Sequence, residues 1–235
     1  MVLADIDAQG MATVEVQLRA LGATVMSVIT DVGSLESVEA LRDAVYDNDE
    51  FGECAFLFNN AGLAVGRSSY LSTMAEWKLS MDVNVWGVIH GLHAFVPSML
   101  EQVAGGRVVS TSSLAGLMNS SPETGVPYVV AKHGVTLMME ALQHELRSQV
   151  AESAEQEVVA HLLHPGIVRT NIGSNSAAAA EREGVDISAP AIGGSPDCKN
   201  TPQLRLNFLP LRGCLFLPAG SGMKPVSKSE DTSSE

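Results

Sequence analysis

Apolar and polar positions change period along the first three-quarters of the chain. Val2-Leu3-Ala4 is a short apolar run stopped by Asp5, the pattern of a buried parallel strand. Met11, Val14, Leu18 and Leu21 then recur at helical spacing until Gly22. Val25, Ser27 and Ile29 predict a second strand ending before Asp31, and Leu35, Val38, Leu41 and Val45 a second helix with Ser34 as N-cap. Ala55-Phe56-Leu57-Phe58 is a further buried run, ending in Asn59-Asn60-Ala61-Gly62. A long helical pattern from about 74 to 102 is expected to be interrupted at Pro97. Arg107-Val108-Val109 opens a strand ending in Thr111-Ser112-Ser113, Tyr128 begins a helix, and residues 158–163 form the last clear strand before Pro165-Gly166.

Strands alternating with helices imply βαβ units, right-handed crossovers and a doubly wound parallel α/β sheet. The regular pattern defines one domain over 1–175. From 176 to 235 the chain reads as irregular and partly disordered, with a helix around 177–182.

Composition narrows the function. The 235 residues are 46% apolar and carry a net charge of -13, which disfavours nucleic-acid and anionic membrane partners because no basic stripe can displace counterions from phosphates. Cys54, Cys198 and Cys214 are widely spaced and odd in number, so neither a disulfide framework nor a zinc site is expected. With no membrane-length apolar run or cleavable leader, a cytoplasmic protein is the expectation.

In a doubly wound sheet, ligands bind beyond the carboxyl ends of the strands, where this chain's polar motifs fall. Asp5 can accept from an adenosine ribose, and its charge would repel a 2'-phosphate, favouring NAD over NADP; its plainer role is a helix cap. Asn59-Asn60-Ala61-Gly62 can be an ordinary turn, but at a strand end its small residues admit a flat ring and its Asn side chains can tie strands together. Tyr128 and Lys132 are four apart, so on a helix the ammonium can approach the phenol and lower its pKa. Ser113, at the end of the preceding strand, can hold a substrate oxygen. His90 and His93 suit helix packing better than metal binding, a structural role is expected of His164, and Trp77 and Trp86 suit core or helix packing.

Asp5, Asp31-Val32, Asn59-Asn60-Ala61-Gly62, Asn84 in Val83-Asn84-Val85-Trp86-Gly87, Ser113, Tyr128-x-x-x-Lys132 and Pro165-Gly166-Ile167-Val168-Arg169-Thr170 occur in an order that resembles the short-chain dehydrogenase/reductases over about 1–173. The resemblance implies a Rossmann-like fold and a nicotinamide-dependent oxidoreductase acting on an alcohol or carbonyl compound, commonly a homodimer or homotetramer. It implies Tyr128 as general acid/base, Lys132 as the group that lowers its pKa and binds the nicotinamide ribose, Ser113 on the substrate carbonyl, and Asn84 organising a water. It further implies Asp31 and Val32 at the adenine, Asn59, Ala61 and Gly62 along the cofactor, Pro165, Val168 and Thr170 at its nicotinamide end, and Tyr128 as well as Lys132 in contact with it.

The sequence departs from that family at both ends. The family's first strand and glycine-rich turn, which supply the main pyrophosphate site, are not found ahead of Val2. That strand would lie at the sheet centre, between those ending at Asp5 and Phe58. The substrate-covering helices expected after Asn171 are not recognisable either. The expectation is a truncated or variant product with an intact catalytic middle. A non-catalytic binding relative is the alternative, and an epimerase or dehydratase ranks last because the tail lacks the regularity of a substrate domain.

Overall fold

The computed structural model describes residues 1–118, 125–149, 157–168 and 170–186. β1 (Val2–Asp5) pairs in parallel with β2 (Met26–Ile29), linked by α1 (Ala8–Ala20). α2 (Leu35–Tyr46) leads to β3 (Phe56–Asn59), which pairs in parallel with β4 (Gly106–Thr111), and β4 with β5 (Val158–Leu163). Between β3 and β4 run α3 (Met74–Met81) and α4 (Gly87–Glu101); α5 (Val126–Gln149) precedes β5, and α6 (Ile172–Arg182) follows it. The architecture is the expected one of parallel sheets flanked by helices, Rossmann-like in type.

Local chemistry sets the helix starts. Asp7 caps α1 by accepting from Gly10 N at 3.0 Å, and Ser34 caps α2 by accepting from Ser37 N at 3.3 Å. Thr73 and Glu76 form a reciprocal capping box on α3. Val126 and Pro127 open α5, so that helix begins two residues before Tyr128.

The long helical stretch breaks elsewhere than expected. Pro97 sits inside α4 without ending it, while the interruption is a wide π-type turn at Asp82–Trp86. At this turn sits Asn84, fully buried, whose Nδ2 donates back to the Ser80 carbonyl at 2.8 Å, a side-chain bond of the kind that bends helices. Around Pro97 the helix is held by its buried face, including Phe95 and Met99, and each such side chain contributes about 1.5–3 kcal/mol through burial. Trp86 is half exposed and lies against the His90 ring rather than in the core.

The described strands form two sheets, β1–β2 and β3–β4–β5, with no hydrogen bonding between β1 and β3. The core continues beneath this break: Val2 from the first sheet clusters with Leu57, Phe95 and Val108. At the break lies a narrow groove, lined by Ala4, Thr30 and Val32 on one side and Leu57, Asn59 and Ala61 on the other. This is where the sequence places the gap left by a central strand. Residues 187–235, most of the segment expected to be irregular, fall outside the described residues, as do Cys198, Cys214 and Arg169.

Candidate active site

β3, β4 and β5 run parallel, so their carboxyl ends open on one edge. Side chains lace that edge: Asn59 Nδ2 donates to Ser110 Oγ at 3.2 Å, and Thr111 Oγ1 to Asn60 Oδ1 at 2.8 Å. The Asn side chains thus tie β3 to β4, as the sequence suggested. Beyond the strands, Ser112 N donates to Leu163 O at 2.8 Å and Leu114 N to Pro165 O at 3.0 Å.

Ser113 lies between those two bonds in extended conformation. Its Oγ accepts from Ala115 N at 3.1 Å, and its carbonyl accepts from Nδ1 of His164 at 3.0 Å, which assigns the Nδ1–H tautomer. The structural role expected of His164 is therefore a brace on the main chain of Ser113. Tyr128 reaches the same place from the first turn of α5 and is hydrogen-bonded to Ser113.

Lys132 lies one turn after Tyr128 and is only 3% exposed. Its Nζ donates to the Thr111 carbonyl at 2.8 Å and stands 5.7 Å from the centroid of the Tyr128 ring. Its own carbonyl accepts from Ser112 Oγ at 2.9 Å and Thr136 Oγ1 at 3.0 Å, pinning this turn of α5 to β4. Burial lowers the Lys132 ammonium to about 8. Burial also raises the Tyr128 phenol, with the Ser113 hydrogen bond opposing it more weakly. In the ligand-free site, withdrawal from water is the larger influence on Tyr128, and Lys132 stands beside its ring.

Asn84 meets this cluster from the π-type turn. Its Oδ1 accepts from Leu63 N at 3.1 Å, and its Nδ2 donates to Leu63 O at 2.8 Å. A Cβ on Gly62 would lie 3.0 Å from Asn84 Oδ1 and 3.4 Å from Lys132 Nζ, so a side chain at 62 would crowd both. Gly62, Asn84, Lys132, Tyr128 and Ser113 therefore form one continuous cluster.

The other candidates lie apart. Asp5, at the end of β1, accepts from Asp7 N at 2.9 Å through one carboxylate oxygen; the helix cap proper is Asp7. Asp31 accepts from Gly33 N at 2.9 Å in the turn before α2. Val32 and Ala61 line the groove from opposite sides. Pro165 is half-buried, whereas Val168 and Thr170 are exposed on the loop after β5. The sequence did not reveal the Thr111 carbonyl as the acceptor for Lys132, since a main-chain acceptor carries no residue signature. Nor did it reveal Ser176, a buried α6 residue whose Oγ accepts from Ala64 N at 2.9 Å.

The short chain dehydrogenase family model matches residues 1–181. This chain belongs to the short-chain dehydrogenase/reductases. It is 33% identical over 177 residues to the oxidoreductase SadH of Mycobacterium tuberculosis, covering 75% of this chain and 60% of that protein. It is 30% identical over 171 residues to a cyclohexanol dehydrogenase of an Acinetobacter species, covering 72% and 63%. A short-chain dehydrogenase/reductase from Burkholderia phymatum, solved in complex with NAD, superposes with a TM-score of 0.72 at 36% identity, covering 82% of this chain and 65% of that one. NAD+-bound xylitol dehydrogenase superposes at 0.63 with 26% identity, covering 71% and 60%. The chain thus spans somewhat under two-thirds of the length of these relatives. Among the described residues no helix is long and apolar enough to cross a membrane, and no cluster of three or more His, Cys, Asp or Glu could hold a metal ion.

Proposed function

We propose that this chain carries the catalytic core of an oxidoreductase that moves a hydride between NAD(H) and an alcohol or ketone, with Tyr128 as general acid/base. The observation that carries this reading is the buried Tyr128, hydrogen-bonded to Ser113 and one helical turn from the buried Lys132. A nicotinamide dinucleotide, when bound, supplies or accepts the hydride.

The residues fit the two ends of such a cofactor. Lys132 spends one N–H on Thr111 O and keeps two for the hydroxyls of a ribose. Asp5 keeps its second carboxylate oxygen for the other ribose, and its charge disfavours a 2'-phosphate, hence NAD over NADP. Val32 and Asp31 would meet the adenine, and Asn59, Ala61 and Gly62 would lie along the cofactor; Val32, Asn59 and Ala61 line the groove. Pro165, Val168 and Thr170 would meet its nicotinamide end.

In carbonyl reduction Ser113 orients the substrate oxygen and Tyr128 hands it a proton as the carbon becomes an alcohol. The phenolate left behind is balanced by the Lys132 ammonium until it regains a proton, with a water held near Asn84 as the relay. Oxidation runs these steps in reverse. Exposed Val130 and Leu137 on α5 fit a homodimer or homotetramer built on the long helices, and the acidic surface fits a cytoplasmic enzyme. The test is NADH oxidation with a panel of ketones: Tyr128→Phe should abolish turnover while leaving NADH affinity nearly unchanged, and turnover at the wild-type rate would refute the role of Tyr128.

The separation of β1 from β3 favours a second reading, a non-catalytic relative that keeps the fold without holding the cofactor. It predicts no NADH binding by a folded chain.

A further inference from the structure

We propose that His90 is a positioning residue for the adenine end of the cofactor site, setting the spacing between the two walls of the groove. This rests on the cofactor reading above and assigns the part of that site which holds its two halves in register.

The walls of the groove come from different sheets. Val32 follows β2, Asn59 ends β3, and no strand hydrogen bonds join β1 to β3. Apart from the shared apolar core beneath, the two walls are joined at the strand ends by the first turns of α4, which touch both. Nδ1 of His90 lies 2.8 Å from the Val32 carbonyl, to which it can only donate. One turn back, a Cβ on Gly87 would come within 2.8 Å of Val32 Cγ2, so the Val32 side chain rests directly on the helix. One residue on from His90, a Cβ on Gly91 would lie 2.2 Å from Asn59 Oδ1, so Asn59 is seated on the same helix. Asn59 is anchored in turn to Ser110 of β4.

These contacts divide the work. The two glycines let both walls approach α4 closely but exert no pull. The His90 N–H supplies the directional bond, and it falls on the main chain of Val32, so it fixes the backbone of the β2–α2 turn. The ring is itself steadied by Trp86, whose centroid lies 5.9 Å away. Nothing in this arrangement touches Tyr128 or Ser113, so its loss should weaken binding without changing the chemical step.

The experiment compares His90→Ala and His90→Asn with the wild-type chain. The Asn amide can donate from nearly the position of Nδ1 and should rescue what Ala loses. Two readouts are taken: NADH affinity by fluorescence titration, and amide exchange at Gly33 and Ser34, whose N–H groups are bonded within the turn at 2.9 Å and 3.0 Å. For His90→Ala the expected result is about tenfold weaker NADH binding with kcat unchanged at saturation and at least tenfold faster exchange, both largely restored in His90→Asn. Unchanged exchange in His90→Ala, or loss that Asn does not rescue, overturns the proposal. If the wild-type chain binds no NADH, the cofactor reading fails, and the exchange readout alone decides whether His90 holds the turn.

Discussion

The Lys132 ammonium donates to the Thr111 carbonyl at 2.8 Å from a position that is 3% exposed. A cation has thus been taken out of water against a single neutral acceptor. Such an arrangement costs stability, and its value lies in what Lys132 can do for a ligand and for Tyr128.

The cost is measurable. With its folded value near 8 against an ordinary 10.5, Lys132 lowers stability by about 3 kcal/mol when protonated. Between those values the unfolded chain holds the proton and the folded chain does not, so stability rises with pH from about 8 to 10.5. Lys132→Met removes the buried charge but strands the Thr111 carbonyl at about 1–3 kcal/mol. A net gain of about 1 kcal/mol, or about 2–4 °C in Tm, is expected at pH 7, shrinking and reversing toward pH 10.5. Thermal unfolding across pH checks it; a less stable variant at pH 7 would contradict it.

Burial raises the Tyr128 phenol, so the general base is scarce near neutrality. Alcohol oxidation is expected to keep rising with pH into the alkaline range, while ketone reduction stays flat near neutrality. Tyr128→Phe should lower both directions by about a thousandfold. Initial rates against pH test this, and an oxidation profile that levels off near neutrality would count against it.

Asn84 satisfies both polar groups of Leu63 and the Ser80 carbonyl from a fully buried position. Asn84→Ala leaves the Leu63 N–H and C=O without partners and is expected to cost about 2 kcal/mol or more. The Tm should fall by about 4 °C or more, with the π-type turn disturbed in near-UV circular dichroism. An unchanged Tm would mean water replaces the side chain at no cost.

How far the sequence could be read follows from what carries its signals. The described strands were legible because most are short apolar runs stopped by a polar residue, as with Val2-Leu3-Ala4 before Asp5. That Ser113, Tyr128 and Lys132 lie together was legible because their residue types and spacing suit one chemistry. The break at Asn84 was not, since a side chain bonding back to Ser80 O looks in sequence like any helical asparagine, whereas Pro97 is an obvious breaker that packing overrides. The burial of Tyr128 was not legible, because charge is visible in sequence and burial is not. The seat of Val32 on α4 was hidden for a similar reason: Gly87, His90 and Gly91 meet their partners only across the fold.

The gap between β1 and β3 leaves strand edges facing the groove. A chain extended ahead of Met1 by an apolar strand and a glycine-rich turn should slow amide exchange in both Val2–Asp5 and Phe56–Asn59 by tenfold or more and raise Tm. Protection of one strand alone would mean the added segment pairs at an edge and does not bridge the sheets.

The most direct test of the central claim is titration of the purified chain with NADH and with NADPH, following fluorescence while circular dichroism reports folding on the same sample. Binding to a folded protein is expected, with NADH at least tenfold tighter than NADPH, through Asp5 and Lys132. A folded chain that binds neither, or prefers NADPH, would contradict it.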